Sequence, residues 1–375
     1  MGFVFGLADK IRQFCNRLPA PIPPGNPPMK IVLACDGKIP LSAYDDKERI
    51  VWWLGKELST MGHEITFLLK EKVECDFANI VIYNPKKPME SQIPEGTDLV
   101  HFHCEFKEED IKTPYLITRY DVSLKARSFH RNTVFLSDSH AQIHGASVFV
   151  YPGVDFSEYA APEFDSKRIW YHFLGNTDQR GRNVRGAIDL AAKINARLHV
   201  IGGYRVHFRK GFTIPLSPTA RFHGKLSPGG RDAILNSSKG MIFPVLWEEP
   251  FSLGVIESLF FGCPVFGTPY GALPEMLGKK IDPKHKRIPT TGTVDAFYSD
   301  YGCLSVKKTE MIDALNSADD YDPKKCHEYA AEKFSVQRMV VDYLKLYEKV
   351  LSGESLHKED PVMERDVSDK LLPVK

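Results

Sequence analysis

Two glutamates in the middle of the chain, Glu249 and Glu257, stand eight positions apart on either side of an almost wholly apolar segment. The preceding stretch "MIFPVL" predicts a strand, and Ser252 is suited to begin the helix that follows. The first N–H groups of a helix have no acceptor within it and favour an anion such as phosphate. Carboxylates on both sides of that anion would accept hydrogen bonds from hydroxyls. The pattern therefore predicts a site for a sugar nucleotide.

Both carboxylates also have a simpler interpretation. Charged side chains are mostly exposed, so Glu249 is equally consistent with a solvated loop residue and Glu257 with a residue paired to a lysine. The neighbours of Glu257 are nevertheless apolar, namely Val255, Ile256, Leu259 and Phe260. A carboxylate on a helix that is apolar nearly all round requires a specific partner.

The elements that would position these residues alternate between strands and helices in both halves of the chain. "MKIVLACDG" predicts a buried strand, "KERIVWWLGKELSTMGHE" a helix and "ITFLLK" a second strand. The second half repeats this rhythm from "RIWYHFLGN" to "PVFGT". Because 375 residues exceed one ordinary core, we predict two doubly wound α/β domains facing a central cleft. Ligands of such sheets bind beyond the carboxyl ends of the strands, where Gly175, Gly202 and Glu249 are predicted to fall.

Composition narrows the class of protein. The net charge is +1, which gives no indication of a nucleic-acid partner. The longest apolar runs are shorter than a membrane span requires. The seven cysteines include no C-x-x-C pair, which indicates free thiols in a cytoplasmic protein and argues against a disulfide framework or a zinc site.

The two ends of the chain differ from the α/β part in composition and in the spacing of apolar residues. Apolar residues at helical spacing within residues 1–18 predict an amphipathic helix, and the proline-rich segment up to residue 28 predicts a stiff tether. The helix is expected to pack on the protein itself or on a partner, or else to lie peripherally on a membrane surface. Residues 352–375 are charged and turn-rich, which predicts a loose tail.

The stretch "FPVLWEEPFSLGVIESLFFGCPVFGTPYGALPEML" resembles the donor-binding segment of glycosyltransferase family 4, whose members are retaining enzymes of the GT-B fold. "MGHEIT", "VFVYPGVDFSEY" and "FSVQRMVVDYLKLYEKVL" resemble further segments of that family, in the same order. The resemblance covers about residues 29–350. It implies the GT-B fold, that is, two Rossmann-like doubly wound domains on either side of a cleft.

The resemblance also implies where the domains divide. Residues 29–160 would form the acceptor-side domain, and residues 161–334 the domain that binds the nucleotide sugar. A C-terminal helix, about residues 335–351, would cross back onto the first domain.

Carried over residue by residue, the family motif gives roles to several positions. Glu249 would contact hydroxyls of the transferred sugar, and Glu257 would hold the nucleotide ribose. The backbone N–H groups of Phe251, Ser252 and Leu253 would contact the diphosphate and the sugar.

The family grips the diphosphate with an arginine and a lysine, and here both positions differ. Asn176 stands at the arginine position and Arg182 at the lysine position. Arg182 keeps a positive charge and can bind phosphate with two parallel hydrogen bonds. Arg180 is a candidate for the missing arginine. Both arginines are otherwise consistent with solvated loop residues.

Two further departures concern the first domain. Asp45 and Asp46 stand where the family carries paired glycines, which brings negative charge towards the expected diphosphate. Tyr120 stands where the family has a histidine near the transferred sugar, which leaves His103 as the polar candidate of the cleft. His103 is also consistent with a hydrogen-bonded histidine at a strand end. His101 points to the same face, but no further residue is spaced to complete a metal site.

These observations predict a hexosyltransferase that moves a sugar from a UDP- or GDP-sugar donor to a saccharide or lipid-linked acceptor. The family-level expectation is a role in cell-surface polysaccharide synthesis, without a metal ion or other cofactor. The residues expected to act in catalysis are Glu249, Arg182 and His103. The alternative hypothesis is a catalytically impaired homologue that binds a nucleotide sugar and serves as an assembly or regulatory subunit.

Overall fold

The computed structural model describes residues 27–37, 39, 46–105, 111–204, 217–278, 296–364, 366 and 371–375. Three sequence predictions fall outside these ranges: the amphipathic helix of residues 1–18, most of the proline-rich tether, and the placement of Asp45. Within the described ranges, no helix is both long enough and apolar enough to cross a lipid bilayer.

The first domain is built on a six-stranded parallel sheet with the order β3-β2-β1-β4-β5-β7. Its strands are β1 Lys30–Cys35, β2 Glu64–Leu69, β3 Asn79–Ile82, β4 Leu99–Phe102, β5 Tyr115–Thr118 and β7 Thr133–Val134. Strands β1 and β2 are buried along nearly their whole length, as expected for a sheet covered on both faces. Between them runs helix α1, Asp46–Thr60, which packs its apolar stripe on the sheet.

The second domain repeats the plan with a seven-stranded sheet in the order β10-β9-β8-β11-β12-β14-β13. Its strands are β8 Trp170–Leu174, β9 Leu198–Ile201, β10 Ala220–Phe222, β11 Ser238–Phe243, β12 Val265–Gly267, β13 Phe297–Ser299 and β14 Gly302–Leu304. Only the edge strand β13 is antiparallel to its neighbour. Two parallel doubly wound sheets confirm the fold predicted from the alternating strand and helix patterns.

The other helices connect these strands or cover the sheets. They are α2 Asp138–Ile143, α3 Val184–Lys193, α4 Pro228–Asn236, α5 Leu253–Phe260, α6 Leu273–Met276, α7 Lys308–Asn316, α8 Pro323–Lys333 and α9 Val336–Leu351. Short 3₁₀ helices lie at Glu90–Gln92, Phe156–Glu158, Arg180–Arg182 and Ala318–Asp320.

Helix α9 belongs in space to the first domain although it follows the second in sequence. Its N-terminus is fixed where the Val336 N–H donates to the carbonyl of Val154, and the Val154 N–H donates to the carbonyl of Phe334. Farther along, Tyr343 and Tyr347 are buried and hydrogen-bond side chains at the carboxyl ends of β4 and β5. The helix therefore lies across the first domain within the predicted range 335–351.

The prediction of a loose tail for residues 352–375 is wrong for the described part of that segment. Strand β15, Val362–Met363, pairs antiparallel with β6, Arg127–Ser128, in the first domain. Farther on, the Leu372 N–H donates to the Leu246 carbonyl of the second domain at 2.7 Å. Charge and turn composition misled the prediction because backbone hydrogen bonds do not depend on side-chain polarity. The tail contacts both domains.

Candidate active site

A cavity of about 370 Å³ lies between the domains, at the carboxyl ends of β8 and β9. The second domain supplies most of its wall, and Asp46 and Arg49 of α1 line it from the first domain. The second-domain residues are Leu174, Gly175, Asn176, Asp178, Arg182, Gly202, Gly203, Tyr204, Lys225, Arg231, Gly254 and Glu257. A cleft at the carboxyl ends of the central strands is where doubly wound sheets bind their ligands.

Glycines bring the backbone close together at this edge of the sheet. Gly202 has a φ of +102°, and a Cβ atom at this position would lie 2.6 Å from the carbonyl oxygen of Gly175. A Cβ atom at Gly254 would lie 2.9 Å from the carbonyl oxygen of Leu174. The start of α5 therefore sits directly against the end of β8, and only glycine permits that approach.

Ser252 occupies the position that precedes the first turn of α5, as its sequence context predicts, but its side chain makes no capping hydrogen bond. Phe251, Ser252 and Leu253 are all buried. They are not among the residues that line the cavity, and Gly254 is the residue through which the start of α5 reaches it. The geometry thus supports an anion site at the start of the helix. The residue that reaches the cavity is Gly254, one position after the predicted residues 251–253.

Glu257 is buried in the wall of the cavity, with 3% of its surface exposed. Its Oε1 atom accepts hydrogen bonds from Arg49 Nη2 at 2.7 Å, from Tyr159 Oη at 2.6 Å and from Arg231 Nη1 at 3.2 Å. Burial alone would raise the pKa of Glu257, but the positive charges of Arg49 and Arg231 outweigh it and lower the pKa. The carboxylate is therefore ionised. Its charged partners are two arginines, and not the lysine that the sequence analysis considered.

Arg49 makes this cluster a contact between domains. Arg49 belongs to α1 of the first domain, whereas Arg231 and Glu257 belong to α4 and α5 of the second. Arg49 Nη2 also donates to the hydroxyl of Tyr159, and its guanidinium lies 4.7 Å from the centre of the Trp53 ring. Sequence reasoning missed Arg49, Tyr159 and Arg231 because they are remote from Glu257 in the chain. The one available signal was that a carboxylate on an apolar helix needs a partner.

Glu249 lies in the loop after β11 and is 1% exposed, so its interpretation as a solvated surface residue is wrong. Its Oε2 atom accepts a hydrogen bond from Trp247 Nε1 at 3.0 Å and lies 3.5 Å from Arg182 Nε. Burial raises the pKa of Glu249, and the charge of Arg182 and the hydrogen bond of Trp247 offset this only in part. Glu249 thus does not line the cavity, but it forms an ion pair with Arg182, which does.

The three candidate diphosphate residues are placed differently. Arg182 lines the cavity, and its Nε atom is buried and makes an ion pair with Glu249 without a hydrogen bond. Asn176 also lines the cavity, where its side-chain oxygen accepts a hydrogen bond from the N–H of Asp178. Arg180 is exposed and is not among the lining residues. The structure therefore does not bring Arg180 to the place of the missing arginine.

His103 lies in the first domain within a buried polar cluster rather than in the cavity wall. Its Nδ1 atom is 2.7 Å from the hydroxyl of Tyr120, and its ring lies 3.8 Å from that of His101. Burial lowers the pKa of His103 to about 3, so the ring is neutral. His103 Nε2 is buried and has no hydrogen-bond partner among the described residues. The cluster accounts for His103 as a hydrogen-bonded histidine at a strand end.

No group of three or more metal-ligating side chains converges anywhere in the described ranges. Both ring nitrogens of His101 are taken by hydroxyls, with Nδ1 at 2.8 Å from Tyr347 Oη and Nε2 at 2.7 Å from Thr118 Oγ1. A ring bonded in this way cannot also ligate a metal ion without breaking one of the two contacts.

Glu275 of α6 forms a second buried contact between the domains. It accepts hydrogen bonds from the N–H groups of Asp138 at 3.0 Å and Ser139 at 2.9 Å, and from the hydroxyl of Tyr151 at 2.5 Å. Burial raises the pKa of Glu275 to about 7 in spite of these donors. The folded state therefore binds the Glu275 proton more tightly than the unfolded chain does.

Because the pKa of Glu275 is raised in the folded state, the effect of Glu275→Gln on the free energy of unfolding should depend on pH. The stabilisation from the protonated carboxyl is complete below about pH 4.5 and is lost as the pH rises through about 7. The free energy of unfolding of Glu275→Gln should therefore rise relative to wild type by about 3 kcal/mol over that interval. Urea titrations at pH 4.5 and pH 7.5 measure this difference, and the exposed Glu95→Gln is the control. A difference that does not change with pH would contradict the assignment.

Residues 172–298 match the family model described as glycosyl transferases group 1. The match contains every residue that lines the cavity except Asp46 and Arg49. Sequence comparison with curated proteins gives no significant match.

Solved structures share the fold over most of this chain at low sequence identity. A glycosyltransferase involved in avilamycin A biosynthesis matches with a TM-score of 0.65 and 18% identity, over 87% of this chain and 99% of that chain. Sucrose-phosphate synthase from Thermosynechococcus elongatus matches with a TM-score of 0.64 and 12% identity, over 87% and 100% of the chains. Anabaena HepE in complex with UDP-glucose matches with a TM-score of 0.57 and 12% identity, over 86% and 100%.

These matches establish the GT-B fold, so the predicted fold class is confirmed. The roles of individual residues depend on the geometry described above.

Proposed function

We propose that the chain is a retaining glycosyltransferase that moves a hexose from a UDP- or GDP-sugar to a saccharide or lipid-linked acceptor. The observation that carries the proposal is the cavity between the domains, whose wall is supplied almost entirely by the segment that matches group 1 glycosyltransferases. Several solved GT-B structures hold nucleotides or nucleotide sugars, among them HepE with UDP-glucose and a starch synthase catalytic domain with ADP and acarbose. Such ligands are consistent with a nucleotide-sugar donor here.

In this proposal the donor diphosphate lies between Arg182 and the start of α5 at Gly254. The positive charge of Arg182 and the N–H groups of the helix start stabilise the negative charge that develops on the leaving diphosphate. This arrangement supplies the charge that a metal ion would otherwise provide, so no cofactor besides the donor is proposed. Glu257 binds the ribose, and Glu249 orients Arg182.

The proposed reaction breaks the bond between the sugar anomeric carbon and the diphosphate oxygen, and forms a bond from that carbon to an acceptor hydroxyl oxygen. The acceptor proton passes to the departing phosphate oxygen on the same face of the sugar. The proposal assigns no side chain as a nucleophile, so the configuration is retained without a covalent intermediate.

The test is to incubate the purified protein with UDP-glucose, UDP-galactose or GDP-mannose and to measure release of UDP or GDP. Water can replace the unknown acceptor, although turnover will be slow. Release above the rate without enzyme, with retained configuration of the freed sugar by NMR, is the expected result. The Arg182→Met variant should release the nucleotide much more slowly than the wild-type protein does.

The acceptor is proposed to belong to cell-surface polysaccharide synthesis, with the protein acting in the cytoplasm at the inner membrane face. The support is the amphipathic pattern of residues 1–18, which suits peripheral contact with a bilayer. Co-sedimentation with anionic liposomes should decrease when residues 1–28 are deleted. Equal sedimentation of both proteins would remove this support.

A nucleotide-sugar-binding subunit without turnover is the second candidate. Two observations favour it: Glu257 Oε1 already accepts three hydrogen bonds, and the carboxylate of Asp46 stands in the wall of the cavity. A ribose must displace one of those donors before it can bind that oxygen. Binding of UDP or GDP without release from any nucleotide sugar would favour this candidate over the enzyme.

A further inference from the structure

Tyr204 is an exposed aromatic residue in the wall of the cavity. It follows β9 after two glycines, Gly202 and Gly203, and has 57% of its surface exposed. Large aromatic side chains are mostly buried in soluble domains, and one that remains exposed inside a ligand cavity is a candidate contact surface.

The backbone beside Tyr204 fixes the position of its ring. A Cβ atom at Gly224 would lie 2.3 Å from Cε1 and 2.6 Å from Cζ of Tyr204, so the ring rests directly on the Gly224 backbone. The Gly202 N–H donates to the Gly224 carbonyl at 2.8 Å, and Gly203 bridges to Gly224. The ring thus has backbone on one side and is open on the side that faces the cavity.

Tyr204 lies on the side of the cavity away from the anion-binding groups. Arg182 and Gly254 lie at the end of β8 and the start of α5, whereas Tyr204 and Gly224 follow β9 and β10. In the sheet the order is β10-β9-β8, and neighbouring strands are about 5 Å apart. A ligand that spans the cavity therefore has its anionic part near β8 and a planar part near β9 and β10.

We propose that Tyr204 is the platform on which the base of the donor nucleotide stacks. The inference rests on the proposed function and adds how the base is recognised. Every nucleobase has a π-face, so stacking accepts uracil, adenine and guanine with little discrimination. Selection between nucleotides by this ring is consequently weak.

Calorimetry with UDP, ADP and GDP tests the proposal on wild type, Tyr204→Ala and Tyr204→Phe. Tyr204→Ala should weaken binding of all three nucleotides by about 10- to 100-fold, whereas Tyr204→Phe keeps the ring and should stay within about 3-fold. Inorganic pyrophosphate has no base, so its affinity should be the same for all three proteins. Tyr298→Ala removes an equally exposed tyrosine outside the cavity and is the control.

Nucleotide affinity that is unchanged in Tyr204→Ala would overturn the stacking role and leave the proposed function intact. A loss confined to one of the three bases would overturn the claim of weak discrimination. Absence of nucleotide binding to the wild-type protein would overturn the proposed function itself.

Discussion

Replacement of Arg182 by methionine should lower kcat for nucleotide release from a nucleotide sugar by about 100- to 1000-fold, because a charge aimed at the leaving group acts mainly in the transition state. Arg182 lines the cavity and lies 3.5 Å from Glu249, which holds its guanidinium in place. Methionine preserves much of the side-chain length and apolar packing but removes the charge. Steady-state assays at saturating donor measure the effect, and KM should change less than kcat.

The control for Arg182 is Arg180→Met. Arg180 lies two positions away in the same short 3₁₀ helix, but it is exposed and outside the cavity wall. It should retain nearly full activity. Equal losses in the two variants would show that the overall positive charge of this loop matters, and that Arg182 has no specific role.

Replacement of Glu257 by glutamine should have the largest effect on stability. It leaves the guanidinium groups of Arg49 and Arg231 buried without their shared negative partner. Removing one member of a buried ion pair typically costs about 3 to 5 kcal/mol. Urea denaturation followed by circular dichroism measures the loss, and the exposed Glu95→Gln should show almost none. Nucleotide affinity should also decrease if Glu257 holds the ribose.

A double-mutant cycle separates the contact between domains from the rest of the cluster. Arg49→Met combined with Glu257→Gln should destabilise the protein less than the sum of the single changes, because Arg49 and Glu257 contact each other at 2.7 Å. Strict additivity would mean that this contact is not maintained in solution.

The fold and the start of α5 could be predicted because their signals are local. Strands and helices alternate with recognisable periodicity, and Ser252 precedes an apolar run directly after a strand. Each of these signals depends on residues only a few positions apart. The burial of Glu257 could also be predicted, because its neighbours in the sequence are strongly apolar, whereas Glu249 has no such neighbours and its burial could not be predicted.

The partners of these carboxylates could not be predicted for a physical reason. Arg49 is 208 positions away from Glu257 and belongs to another domain. The relative placement of the domains decides which arginine reaches the carboxylate, and no local pattern encodes that placement. The same holds for Tyr204, whose proposed role depends on Gly224, a glycine after the neighbouring strand β10, lying against its ring.

The orientation of loop side chains and the structure of the C-terminal segment were also poorly predicted from the sequence. Arg180 and Arg182 are two residues apart, yet one is exposed and the other lines the cavity, because a short 3₁₀ helix orients them differently. The tail after residue 352 was expected to be loose on composition alone, but its backbone hydrogen-bonds to both domains.

The most direct test of the account is a crystal structure of the protein soaked with UDP and, separately, with GDP. The account predicts the pyrophosphate between Arg182 and Gly254, the ribose within hydrogen-bond distance of Glu257, and the base against Tyr204. A nucleotide bound elsewhere, or a cavity that stays unoccupied at millimolar nucleotide while Arg49 remains on Glu257, would contradict it.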